Sequence, residues 1–258
     1  MNKLKLNKDK LRIHVVGGNN SYANFILSEY ELVSLSEANI VIFTGGEDVS
    51  PSFYGEGTGS RTITNEERDL SEESIFNKIS KRGDVLLVGI CRGAQFLTVM
   101  AGGSLIQHVN NHGISGTHSI DIVGEGRSID ITSTHHQMMY PFSMNVNDYS
   151  IIAKSSKNLS NTYLNGYDDE KITPNDFCEP EIVYYNKINA LCIQGHPEYM
   201  DKKSKAVKFI NMLIGELIED QIVTTKDTVR VAPDRIGRFN WDGLLINNLL
   251  REEDLNFI

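Results

Sequence analysis

Residues 84–101 read DVLLVGICRGAQFLTVMA. Asp84 to Ile90 is the strongest strand pattern in the chain, and Gly93 to Ala101 reads as a buried helix stopped by Gly102-Gly103. A short apolar run bounded by glycine suits a strand covered on both faces, as in a parallel sheet. A strand that feeds directly into a helix points to an α/β fold. The junction, Gly89-Ile90-Cys91-Arg92-Gly93, has the form G-x-C-x-G. Glycines there permit a cramped turn with a nucleophile at its apex. The helix N-terminus beneath Cys91 favours thiolate over thiol, and the amide of Arg92 would face a developing oxyanion. The alternative reading is a buried structural cysteine at a strand end.

Working outward, Leu11 to Val16 is a strand closed by Gly17-Gly18-Asn19-Asn20, and a short helix is expected around Tyr22 to Ser28. Asn39 to Phe43 is a second buried strand, ended by Thr44-Gly45-Gly46. Residues 47–65 form a long polar loop, of the kind that often carries function. From Glu66 to Lys81 a helix is expected, with Leu70, Ile75, Phe76 and Ile79 on one face and the acids and Lys78 outside. His118 to Ile122, Tyr149 to Ala153, Glu181 to Tyr185 and Ala190 to Gln194 are further strands, with irregular surface over 154–180. Lys202 to Glu219 is amphipathic, burying Ala206, Phe209, Ile210, Leu213, Ile214 and Leu217. The expectation is a catalytic domain over 1–223 with a largely parallel sheet. Residues 224–258, holding Trp241 and the cluster Leu244, Leu245, Ile246, Leu249 and Leu250, read as an appendage that packs on the domain or docks a partner. In open α/β sheets ligands sit at the carboxyl ends of strands, where Gly45-Gly46 and Cys91 both fall.

Composition narrows the function. With 258 residues and a formal charge of −9, general affinity for nucleic acid or anionic membrane is not expected. Cys91, Cys178 and Cys192 are too few and scattered for a disulfide framework or a zinc site, which fits a reducing, cytoplasmic setting. The N-terminal stretch lacks the apolar core of a secretory signal, and no apolar run is long enough to span a membrane.

A thiol nucleophile needs a base. Of the seven histidines, His196 has the strongest case. It follows a strand in Gln194-Gly195-His196-Pro197-Glu198, with Pro197 to stiffen the turn and Glu198 to hold the imidazole tautomer. The alternative is a surface turn with a capping glutamate. His135-His136 could suggest a metal, but no further ligands stand at recognised spacing, so no metal and no cofactor are expected. His108, His112 and His118 read as surface or pocket-wall residues on loop.

Taken together, Cys-Arg-Gly-Ala-Gln at 91–95 with a distant His-Pro-Glu at 196–198 resembles the class I glutamine amidotransferase superfamily, and more narrowly its γ-glutamyl-γ-aminobutyrate hydrolase branch. Further matches are Gly45 to Pro51 with Tyr54-Gly55, Arg68-Asp69 with Glu72, Gly102 to His108, and Ser133 to Gln137. The resemblance implies a three-layer, flavodoxin-like fold with helices on both faces of the sheet. It implies a Cys91–His196–Glu198 triad, a γ-glutamyl thioester, and an oxyanion hole from the backbone at Gly46 and Arg92. Gln95 would bind the amino-acid end of the substrate, assisted by the backbone of Ser133, Thr134 and His135. Two positions depart from the family pattern: Gly195, where an aromatic often stands, and Thr132, where asparagine often stands. Both put substrate identity in question more than the triad.

Three functions follow. One is free-standing hydrolysis of a γ-glutamyl amide or glutamine, favoured by the Gly-Gly-Glu-Asp-Val-Ser-Pro loop. Another is a glutaminase component delivering ammonia to a separate synthetase or ligase. A third is a non-catalytic binding relative, against which Cys91, His196 and Glu198 together argue. An α/β-hydrolase with a cysteine nucleophile would normally place its acid before the histidine, whereas Glu198 follows His196.

Overall fold

Tertiary burial decides which expected helices and strands form. The computed structural model describes residues 10–172 and 178–226. In chain order come β1 (Leu11–Val15), β2 (Tyr30–Leu32), β3 (Ile40–Phe43), α1 (Glu66–Ile79), β4 (Leu86–Ile90) and α2 (Arg92–Met100). The middle of the chain holds β5 (Ser104–Ile106), β6 (His108–Val109), β7 (Gly113–Ile122), β8 (Ser128–Thr134), β9 (Met138–Tyr140), β10 (Tyr149–Ser155), β11 (Tyr163–Asn165) and β12 (Glu170–Lys171). Strands β13 (Pro180–Tyr185) and β14 (Ala190–Ile193) and helix α3 (Lys205–Lys226) complete it.

A nine-stranded sheet runs in the order β2-β1-β3-β4-β14-β13-β10-β7-β8. From β2 to β14 every pairing is parallel; from β14 to β8 every pairing is antiparallel. Alternate residues of β3 separate two cores. Ile40 and Ile42 pack with Phe209, Ile210 and Leu213 of α3. Val41 and Phe43 pack with Phe76 and Ile79 of α1 and Phe96 and Leu97 of α2. The result is the expected three layers, with helices on both faces of the sheet. All six residues assigned to the apolar face of α3 are buried.

Several local expectations change. The helix expected at 22–28 is a single 3₁₀ turn over Asn20–Ala23. In α1, capped by Asn65 and carrying Glu66, Glu67 and Asp69 in its first turn, the apolar face is narrower than expected. Leu70 is 52% exposed, while Asp69 and Glu72 are buried. The cause is a buried arginine opposite them, described below. Residues 154–180, expected to be irregular, supply the end of β10 and both β11 and β12. Helix α3 runs to Lys226, past the expected domain boundary at 223. The rest of the expected appendage, including Trp241 and the cluster Leu244 to Leu250, lies outside the described residues. Among the described residues, no helix is long and apolar enough to cross a membrane.

Close approach of α2 to the sheet makes Gly93 a requirement. A β-carbon there would lie 2.1 Å from the carbonyl oxygen of Phe43, a rigid backbone atom of β3. Gly83, just before β4, faces open space. Gly93→Ala is expected to lower stability by about 3 kcal/mol or more, whereas Gly83→Ala should stay within about 1 kcal/mol of wild type. Urea denaturation followed by circular dichroism measures both; equal midpoints for the two variants would refute the close approach.

Candidate active site

Three adjacent parallel strands, β3, β4 and β14, end on the same side of the sheet and deliver Gly45-Gly46, Cys91 and His196 to one place. Cys91 adopts φ 52°, ψ −111°, a strained conformation for a residue with a side chain, between Ile90 of β4 and the first turn of α2. Its amide donates to Ile193 O at 2.8 Å, and its carbonyl accepts from Ala94 and Gln95. No side chain caps α2, whose first residue, Arg92, directly follows the cysteine.

His196 and Cys91 face the same spot: a β-carbon at Gly45 would touch both. Its Nδ1 lies 2.7 Å from Glu198 Oε1. Burial acts to lower the His196 pKa, but the hydrogen bonds and charges of Cys91 and Glu198 outweigh it and push the value up to about 10. A raised value means the imidazolium persists through neutral pH. Its contribution to stability is complete below the unfolded histidine value of about 6.5 and is lost as pH rises through the folded one. The ring of Tyr199 stacks on His196 at 5.1 Å, and Tyr22 lies 6.4 Å away on another side. Burial and the charge of Glu198 raise the Tyr22 phenol well above its usual range, so it stays neutral beside the pair.

The Gly45-Gly46 loop presses against this pair. A β-carbon at Gly45 would sit 3.0 Å from His196 Cε1 and 3.7 Å from Cys91 Cβ. Gly46, at φ 143°, lies under the guanidinium of Arg68. Arg68 Nη2 donates to Gly45 O at 2.9 Å and Thr44 O at 3.2 Å, while its Nε donates to Glu72 at 2.8 Å. Glu72 and Asp69 in turn pair with the guanidinium of Arg92, which is 1% exposed. Asp69 also accepts from the amide and hydroxyl of Ser50 at 3.0 and 2.6 Å. Arg92, singled out for its amide, thus has a second role for its side chain, and the helix-face expectation for α1 concealed it.

The expected substrate residues divide. Gln95 is buried and donates through Nε2 to Gln137 O at 3.0 Å. Ser133 is buried, with its hydroxyl donating to His112 O at 2.7 Å, so only its backbone is free for the expected contact. Thr134 is exposed. His135 is buried with Nδ1 on Gln137 O at 2.8 Å; burial and neighbouring His112 push it well below the ordinary histidine range. His136 reaches Asp48 at 3.1 Å, tying this stretch to the Gly-Gly-Glu-Asp loop.

The two departures from the family pattern meet each other. The amide of His196 donates to Thr132 Oγ1 at 2.7 Å. A β-carbon at Gly195 would fall 2.7 Å from both Thr132 O and Ile131 Cγ1. Strand β8 therefore lies too close to position 195 for any side chain, and the same strand holds His196. Alternation in Ser128-Ile129-Asp130-Ile131-Thr132 was the available sign of this strand. His112 and His118, expected on surface or pocket wall, are 0% and 8% exposed: His118 lies in β7, where a strand from 118 was expected, and Glu179 and Glu181, just before and within β13 of the same sheet, receive both.

Known proteins share this architecture. A Thermoplasma acidophilum structure, provisionally described as a component of GMP synthase, matches 84% of this chain and 98% of its own with a TM-score of 0.51 and 16% identity. The fold is that of the class I glutamine amidotransferases. Residues 31–198 match the model of the peptidase C26 family, and the chain belongs to that family. Over 74 residues it is 42% identical to a glutamine amidotransferase-like protein of Rickettsia prowazekii, covering 28% of this chain and 26% of that one. Over 123 residues it is 32% identical to a Mycobacterium tuberculosis protein provisionally called a glutamine amidotransferase, covering 40% and 39%. The matched stretches thus span well under half of either relative.

Two measurements check this geometry. Arg92→Met leaves buried Asp69 without a cation and Glu72 with Arg68 alone, and should cost about 3–5 kcal/mol in urea denaturation; an unchanged midpoint would show the network to be dispensable. By NMR, the His196 ring should titrate near pH 10 and at distinctly lower pH in Cys91→Ala, which loses the first of the raising partners. Identical titration in the two proteins would refute the Cys91–His196 contact.

Proposed function

We propose that this chain hydrolyses a glutamine-like γ-glutamyl amide through a γ-glutamyl thioester on Cys91. The observation that carries the reading is Cys91 on a strained elbow, beside a His196 whose Nδ1 is held by Glu198. The Cys91 sulfur attacks the amide carbon, and negative charge gathers on the carbonyl oxygen against the amides of Gly46 and Arg92. The C–N bond breaks as His196 gives its proton to the leaving amine. Water then attacks the thioester, His196 takes the water's proton, the C–S bond breaks, and the γ-carboxylate leaves with Cys91 regenerated. Glu198 fixes the tautomer and balances the imidazolium. Gln95 and the backbone of Ser133 to His135 hold the amino-acid end of the substrate.

Free-standing hydrolysis is preferred over delivery of ammonia to a synthetase because the Gly-Gly-Glu-Asp-Val-Ser-Pro loop that marks the hydrolase branch is built into the site through Arg68 and Asp69. The full chain alone should release glutamate from γ-glutamyl amines at steady state, with kcat/KM falling roughly 10³-fold or more in Cys91→Ser. Diazo-oxo-norleucine should label Cys91, as read by peptide mass spectrometry. Absence of label on folded protein would overturn the thioester mechanism. Turnover that appears only when an ATP-dependent ligase is added would overturn the free-standing reading while leaving the thioester intact.

A further inference from the structure

Away from Cys91, the antiparallel half of the sheet buries an unusual set of groups. His112, Glu179 and Glu181 are each 0% exposed, His135 4% and His118 8%. One ligand atom from each of His112, His118 and Glu181 lies within 4.8 Å of the others. His118 Nε2 is 2.8 Å and His112 Nδ1 3.7 Å from Glu181 Oε1. The opposite ring nitrogen of His112, Nε2, is 3.0 Å from Glu179 Oε2. Glu179 is itself held by the amides of Leu159 and Ser160 and the Tyr163 hydroxyl, each at 2.8 Å.

Two features of this cluster call for a cation. Charge is the first: among the described residues, Glu179 and Glu181 form ion pairs with His112 and His118 and with no lysine or arginine. The other is unmet hydrogen bonding. Glu181 Oε2 is buried without a donor. His135 spends its Nδ1–H on Gln137 O, so its buried Nε2 carries a lone pair that also lacks a donor, with the ring centroid 4.6 Å from that of His112. Buried acceptors without partners are costly and rare in native proteins. A dication at the His112–His118–Glu181 group supplies Glu181 Oε2 with a partner and balances the charge of two carboxylates. The His112–Glu179 contact then matches the carboxylate–histidine–metal relay that orients ligands in metal sites.

We propose that His112, His118 and Glu181 bind a structural zinc ion, with Glu179 orienting His112. Two imidazole donors and a carboxylate suit zinc, and burial on all sides suits a structural ion more than a catalytic one. The ion clamps β7 and the start of β13 together. Sequence spacing conceals it, because the carboxylates come from a strand more than sixty residues after His118.

The full chain, expressed with zinc and passed through gel filtration, should hold about one zinc per chain by mass spectrometry of the metal. Cys91→Ala should retain it, and Glu181→Gln should lose it. Since Glu181→Gln could misfold, wild type supplies a second test. Removing zinc with a chelator should lower the thermal midpoint by several degrees, and adding Co²⁺ to the stripped protein should produce tetrahedral visible bands without sulfur-to-cobalt charge transfer. Folded wild type with under about 0.1 zinc per chain and a chelator-insensitive midpoint would overturn the site. So would zinc that survives in Glu181→Gln but is lost in Cys91→Ala.

Discussion

A single buried guanidinium organises the site. Arg92 is taken out of water at the first position of α2, directly after the strained Cys91, and two carboxylates from α1 come inward to meet it. Burying such a set gains little or no net stability, because desolvation cancels most of the attraction. Its value lies in geometry: the planar fork accepts carboxylates from fixed directions, and their remaining oxygens are spoken for. Asp69 reaches on to Ser50, and Glu72 to Arg68, whose other nitrogens grip the carbonyls of Thr44 and Gly45. The elbow, the glycine loop and α1 are thereby tied to one another, and a shift of any part is passed to the backbone at Gly45 and Cys91.

That unit explains why the parallel half of the molecule is legible in the sequence while the face of α1 is not. β3, β4 and β14 are buried on both faces, so their apolar runs stand out, and the turns at their ends announce the site. Hydrophobicity alone sends Asp69 and Glu72 of α1 outward. They are inward because a charge waits for them, and periodicity carries no information about a partner twenty residues away on another element. The Arg68-Asp69 and Glu72 positions stand out through family resemblance, yet their reason is electrostatic.

The antiparallel half is less legible for a related reason. Parts of β7, β10 and β13 stand out as strands, but the start of β7 and the whole of β8 carry glycine, serine, threonine and histidine and do not. His112 and His118 are met in the interior by Glu181 of β13 and by Glu179 just before it, across β10. Neither set of residues makes sense without the other, and no local window contains both.

The two halves meet at His196. Its position along the sheet comes from β14, in the parallel half, but its amide is held by Thr132 of β8, and Gly195 has no side chain because β8 passes too close. The two departures from the family pattern are therefore one coupled substitution seen from both sides. An aromatic at 195 would need β8 to move away, and a β8 moved away could not offer Thr132 to the His196 amide. Ser133, the next residue of β8, bonds to the backbone of His112 within the buried histidine–carboxylate cluster. The placement of the imidazole beside Cys91 thus depends on how firmly β8 is seated, and that seating is set by polar groups in the part of the sheet that takes no direct part in the chemistry.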